Sequence, residues 1–316
     1  MITTVLLTYA VVAGSLGVRL LSRMRWLKRS PGLGILARLV VNATIPLALL
    51  GAALSILTAT SAGHSAVDLF HACIMVVRST FAGPLAPSWA GVLGLVLVLV
   101  GIVLRVPVLF VVDLRRGHLA RQAQRSQLWL VATRRIRGDD LLVVDHPLPL
   151  AYCLPGRART IIVSTSAVAS LTPTELTAVL AHERAHLRGH HHLILAWARA
   201  VARGLWFLPD LRRIVTEQAR LLEMAADDRA VRATSAPVVA AALLRLVNAP
   251  TGEHALGAVE HAVAARIARL ASPDQPIRRI TTSAALAALT LLAIMPGVFV
   301  SLGWVVAGGA GHCPIT

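Results

Sequence analysis

The segment LAHERAHLRGHHHL, from Leu180 to Leu193, carries five histidines. His182 and His186 stand four residues apart, so on a helix they project from one face, a turn from each other, and can share one metal ion. Glu183, beside the first of them, reaches the same place and can take a proton from a water that the ion polarises. This H-E-x-x-H spacing is that of metal-assisted hydrolysis. The histidine and glutamate frequencies of the chain give roughly a 1% chance of one accidental match, so a third ligand and a suitable scaffold must accompany the motif.

A catalytic zinc ion takes three protein ligands and keeps one position open. The stretch ARLLEMAADDRAVRA, Ala219 to Ala233, is strongly helical, and Glu223 and Asp227 again stand four apart on one face. Glu223 is expected as the third ligand to Zn2+. Asp227 is placed to accept the free ring N–H of a ligand histidine, and Asp228 points away. The plainer reading makes Glu223 and Asp227 a solvated face paired with Arg220 or Arg229, but the intact motif upstream favours ligation. His190, His191 and His192 follow Gly189 and read as a polar turn, open only to tuning the site.

These residues need elements to hold them. In LTPTEL, Thr172 can cap a helix, Pro173 suits its first position and Glu175 completes a capping box, so a helix is expected from Pro173 to about Arg188, stopped by Gly189. Ahead of it, Leu128 to Ile136, Leu141 to Asp145 and Arg159 to Val168 read as short strands, rich in β-branched residues and bounded by Gly, Pro or Asp. The catalytic segment is therefore α+β.

The chain is 56% hydrophobic and 15% charged over 316 residues, too apolar for an ordinary soluble protein. Four apolar runs are long enough to cross a bilayer, at about residues 2–20, 39–60, 88–112 and 283–307. The first lacks a basic leader and is read as a retained span. Arg19, Arg23, Arg25, Lys28, Arg29 and Arg38 lie between spans one and two, whereas the next loop has Arg78 against Asp68. The Lys/Arg bias therefore puts the first loop and the segment after span three in the cytoplasm, with both termini outside an inner or plasma membrane. The expected organisation is three spans in 1–114, a cytoplasmic catalytic domain in 115–280, and a fourth span with a short tail in 281–316.

The net charge of +16 does not require nucleic acid. Much of it lies in the first loop and in DLRRGHLARQAQR after span three, where basic residues meet anionic headgroups, and direct nucleic-acid binding is not expected. The lipid bilayer is the expected partner, and a homo-oligomer is compatible with the sequence. Three cysteines make neither a zinc site nor a disulfide framework. Cys153 falls on the reducing side, and Cys73 and Cys313 both fall outside, where they could pair. His64 and His71 read as residues of the outer loop.

The string PLAYCLPGRARTIIVSTSAVASLTPTELTAVLAHERAH, followed by EMAAD and by ARIARL at Ala265 to Leu270, resembles the membrane-embedded gluzincin metallopeptidases of the BlaR/MecR type. It is also similar to the HtpX/Ste24 group, which shares the capped H-E-x-x-H helix and the Glu-x-x-x-Asp helix. The resemblance covers roughly residues 128 to 272. Three spans before the motif and one after it follow BlaR/MecR, whereas HtpX-like proteins have two before and more after. The penicillin-binding sensor domain of the antibiotic sensors is expected to be missing, because only about ten residues follow the fourth span.

The resemblance implies an α-helical multi-pass membrane protein with a cytoplasmic α+β zincin (gluzincin-like) peptidase domain. It implies a zinc endopeptidase with Glu183 as base and His182, His186 and Glu223 as ligands. Its substrate would be a winged-helix repressor of the BlaI/MecI type in a stress or β-lactam response, with self-cleavage besides. An extended substrate would pair with an edge strand, for which Ile161, Ile162, Val163, Ser164 and Thr165 are expected because they directly precede the motif helix. Arg266 corresponds to a recurrent arginine and could pair with Asp227 or face the site; His261 lies five positions before it. Leu193 to Pro209, with Arg199 and Arg203 on one face, reads either as a helix in the headgroup layer or as a buried core helix. An HtpX-like quality-control protease and a non-enzymatic metal-stabilised scaffold or receptor are the alternatives; a base at Glu183 argues against the last.

Overall fold

A computed structural model describes residues 2–24, 26–61, 89–136, 141–156, 159–247, 256–271 and 279–309. Among them, four helices are long and apolar enough to cross a membrane: Ile2–Arg23, Pro31–Ile56, Gly94–Leu128 and Thr282–Ser301. The first consists of α1 (Ile2–Val12), a π-helical turn (Ala13–Gly17) and α2 (Val18–Arg23); the short α3 (Trp26–Arg29) leads to α4 (Pro31–Ser61). Then come α5 (Trp89–Val131), four strands, and seven further helices ending in α12 (Arg279–Gly309). The outer loop, with His64, His71 and Cys73, and the C-terminal Cys313 lie outside the described residues.

Helix α5 runs 43 residues, so at about 1.5 Å each it continues well beyond a bilayer. Leu128 to Val131 belong to it, and the first strand, β1, is only Ala132–Ile136. This corrects the longer strand expected from Leu128: LARQAQRSQ is made of good helix formers, and helix propagation carries the following apolar residues along.

Strands β1, β2 (Leu141–Val144), β3 (Ala151–Leu154) and β4 (Thr160–Ser164) form one sheet in the order β1-β2-β4-β3. β2 and β4 run parallel, with Leu141 opposite Ile161, while β3 pairs antiparallel with β4, Ala151 opposite Val163. β4 is therefore bonded on both sides and cannot accept a further strand. The edge strand expected at Ile161 to Thr165 is instead β3. Thr165 is not in the strand at all; it starts α6 (Thr165–Ser170), capped by Ser164, whose Oγ accepts from the Ala167 amide.

The motif helix α7 spans Pro173–Arg188. The Thr172 hydroxyl accepts from the Glu175 amide at 3.3 Å while the Glu175 carboxylate accepts from the Thr172 amide at 2.8 Å. One face of the sheet, through Ile161 and Val163, packs on Val179 and Leu187 of α7. The other, through Leu142, Val144 and Ile162, packs near Leu128 of α5.

Helices α8 (His191–Gly204) and α9 (Leu211–Ala233) then return to the spans. Leu6, Ile45 and Val106 of the spans share one core with Val201, Leu205, Leu211 and Ile214. α8 is a core helix on one face, with Ala198, Val201 and Ala202 buried, while Arg199 and Arg203 are exposed. Two of the loop arginines pair with acidic residues at the start and in the body of α9. Arg19 bonds Asp210 at 2.9 Å, and buried Arg38 lies 3.8 Å from Glu217 of α9. Through these pairs the first loop packs against the helix that carries Glu223. The remaining helices are α10 (Ala236–Val247) and α11 (Leu256–Ala271).

Candidate metal centre

Facing helices bring the chemistry together. α7 supplies His182, Glu183 and His186, α9 supplies Glu223 and Asp227, and α11 supplies Arg266. His182 Nε2 and His186 Nε2 are 3.0 Å apart, and each lies 3.5 Å from a carboxylate oxygen of Glu223. Ligand atoms about 2.0–2.1 Å from a tetrahedral zinc ion stand about 3.3 Å from one another; with one ligand atom from each side chain all within 4.8 Å of one another, the three residues can hold one ion. The donor set, two imidazoles and one carboxylate, is also that of a catalytic zinc.

The surrounding bonds orient the ligands. His182 Nδ1–H donates to Asp227 at 3.0 Å, which leaves Nε2 free to face the ion. Asp227, 1% exposed, is held in turn by Arg266 through two bonds of 2.8 and 2.5 Å, and the same guanidinium lies 3.2 Å from Glu223. Arg266 therefore both pairs with Asp227 and borders the site. Arg220 pairs with Glu217 and Asp228 with Arg269, so neither competes for the ligand face. His261 lies in α11, outside the described side chains.

Two site residues were not legible as such in the sequence. His191 Nδ1 lies 2.7 Å from His186 Nδ1, so the second ligand also has an orienting partner. With His186 Nε2 on a metal, its Nδ1 carries the proton and His191 Nδ1 accepts it. His191 reaches that position because His190 takes a left-handed conformation, φ 48°, that breaks the helix and turns α8 back on α7. The signal was the extra histidine just past a glycine stop, but no periodicity crosses such a break. The other residue is Cys153 on β3, whose thiol hydrogen-bonds Glu183 and, through burial first and that carboxylate second, is pushed up to about 12.

Burial works against a charge on His182, but its bonds to Asp227 and Glu223 outweigh it and raise its pKa to about 9. His186 lacks such a bond, and burial pushes it down to about 4. Burial would raise Glu223, but His182, His186 and Arg266 outweigh it and hold its carboxyl down at about 2. Glu183 is raised, chiefly by burial. The site thus attracts positive charge at Nε2 of His182, the place where a cation would lie, and keeps the base carboxylate weakly solvated. A cavity of about 190 Å³ opens on His182, Glu183 and Glu223, its far wall formed by Val239, Leu243 and Leu246.

Residues 119–209 match the model of peptidase family M48. Over 90 residues the chain is 39% identical to the plastoglobule-localized metallopeptidase 48 of Arabidopsis thaliana, a stretch of 28% of this chain. The chain spans about a quarter of the length of that curated relative, 25%. No solved structure matches the chain. The family match ends before α9, so the positions of Glu223, Asp227 and Arg266 rest on geometry, while the sheet and the H-E-x-x-H helix lie within the matched residues.

Proposed function

We propose that this chain is a membrane-bound zinc endopeptidase. The observation that carries the reading is the triangle of His182, His186 and Glu223 with Glu183 on the same cavity; the M48 similarity supports it. Zn2+ held by the three ligands would supply Lewis acidity, polarising a peptide carbonyl and an attacking water. Glu183 takes the proton of that water at its carboxylate and returns it to the departing amine. Asp227 and His191 fix the two imidazoles, and Arg266 holds Asp227 in place. β3 is the free edge beside α7, so an extended substrate pairs with Ala151 to Leu154 and sets its carbonyl over the site.

The finer reading is that the substrate is a cytoplasmic winged-helix repressor of the BlaI/MecI type, cleaved in response to a stress or a β-lactam. The three long apolar helices ahead of the motif support this. An HtpX-like protease acting on damaged membrane proteins fits the same site and the M48 similarity equally well. Trapping separates them: in cells carrying Glu183→Gln, which holds substrate without cutting it, a repressor reading expects one DNA-binding protein to accumulate on the chain. Recovery of many unrelated membrane proteins would replace it with the quality-control reading.

A further inference from the structure

Where α5 leaves the apolar zone it faces α8 across a cavity of about 1000 Å³, far larger than the one at the metal centre. Arg105 and Arg121 of α5, Arg199 and Arg203 of α8, and Arg212 of α9 line it. Its one carboxylate, Asp113, is already paired with Arg203. Four guanidinium groups are thus left around a cavity that has no other acid among the described residues. Arg121 Nε and His192 Nδ1 are buried there with no hydrogen-bond partner among the described residues. A basic, under-bonded cavity is completed by an anion that accepts several hydrogen bonds at once.

We infer that this cavity binds the headgroup of an acidic phospholipid. Its position distinguishes a lipid from a free phosphate. Arg105 and Arg121 are sixteen residues apart on α5, about 24 Å along the helix, more than one phosphate can bridge. Leu109 and Leu195 line the apolar part of the same cavity. Trp206, 62% exposed on the rim, is the residue type that settles at the headgroup level. A phosphate among Arg121, Arg199 and Arg212, with its glycerol and upper acyl chain along Leu109 toward Arg105, fills that length. The inference does not depend on peptidase activity.

The test uses the full chain, purified in a neutral detergent and stripped of lipid, titrated separately with dioctanoyl phosphatidylglycerol, dioctanoyl phosphatidylcholine and inorganic phosphate. Binding is followed by native mass spectrometry and by the shift in melting temperature. Phosphatidylglycerol is expected to bind and to raise the melting temperature, and the other two to do so weakly or not at all. Arg199→Gln with Arg212→Gln should weaken phosphatidylglycerol about ten-fold or more. Arg229→Gln with Arg232→Gln, which removes the same charge at the far, exposed end of α9, should leave it unchanged. Arg121→Gln provides a second cavity variant should the first not fold. Equal binding of phosphatidylcholine, equal binding of phosphate, or an equal loss in the α9 control would each overturn the inference.

Discussion

At the residue scale, the account rests on how each imidazole is held. Asp227 is buried between His182 and Arg266, so removing it leaves the partly buried guanidinium with Glu223 as its one carboxylate partner among the described residues. Asp227→Ala is expected to lower zinc affinity about 10–100-fold and, by removing two hydrogen bonds to Arg266, to destabilise the chain by about 1–3 kcal/mol. Chelator competition and thermal melts read the two effects separately. His191 acts on His186 alone. His191→Phe should also lower zinc affinity about 10–100-fold but leave the melting temperature of the metal-free chain nearly unchanged; unaltered affinity would mean that the 2.7 Å contact does not orient the ligand. The ligand set could be read in the sequence because each pair sits at i,i+4 on one helix. His191 and Cys153 could not, because their contacts run across a helix break and from a strand to a helix.

At the element scale, α7 fixes the site because its start is doubly bonded. Thr172→Ala should cost about 1 kcal/mol, measured by melting in detergent. Burial raises the Glu175 carboxyl, but its bonds to Thr172 and the charge of Arg245 outweigh it, so its pKa lies below the ordinary 4.5. A carboxylate with a depressed pKa adds stability that is present above the unfolded value and lost as pH falls through the folded one. Wild type should therefore lose stability below about pH 4.5 more steeply than Glu175→Gln. The limits of α7 were legible because proline, capping box and glycine each mark one end. β3 was not: AYCL is four residues between two prolines, too short to show alternation, and its place as the edge depends on pairing with β4. The same lack of local signal hid that β4 is an inner strand.

At the scale of the whole molecule, spans and catalytic helices form one body. Arg19 reaches Asp210, Arg38 approaches Glu217, and a Cβ on Gly34 of α4 would lie 2.9 Å from Leu221 of α9. This close approach explains why glycine stands there, and Gly34→Val should destabilise the chain by about 1–3 kcal/mol. The first loop and the catalytic helices must then label from the same side. Single cysteines at Ser30 and Ser235, in a background without the native three, should react with an impermeant maleimide from one face of sealed vesicles; reaction from opposite faces would contradict the packing. The four long apolar helices were legible from composition, and their common core with α8 was not. Alanine-rich α8 reads alike as core or as surface until the spans are set against it.

The central claim is that His182, His186 and Glu223 hold a zinc ion that Glu183 uses to cut peptide bonds. The most direct measurement compares wild type with Glu183→Gln, reconstituted in lipid, for zinc content and for cleavage of a set of extended peptides and a BlaI-like repressor. The account predicts one zinc per chain in both proteins and a loss of cleavage of about 100-fold or more in the variant alone. Wild-type protein without zinc, or cleavage undiminished in the variant, would contradict it.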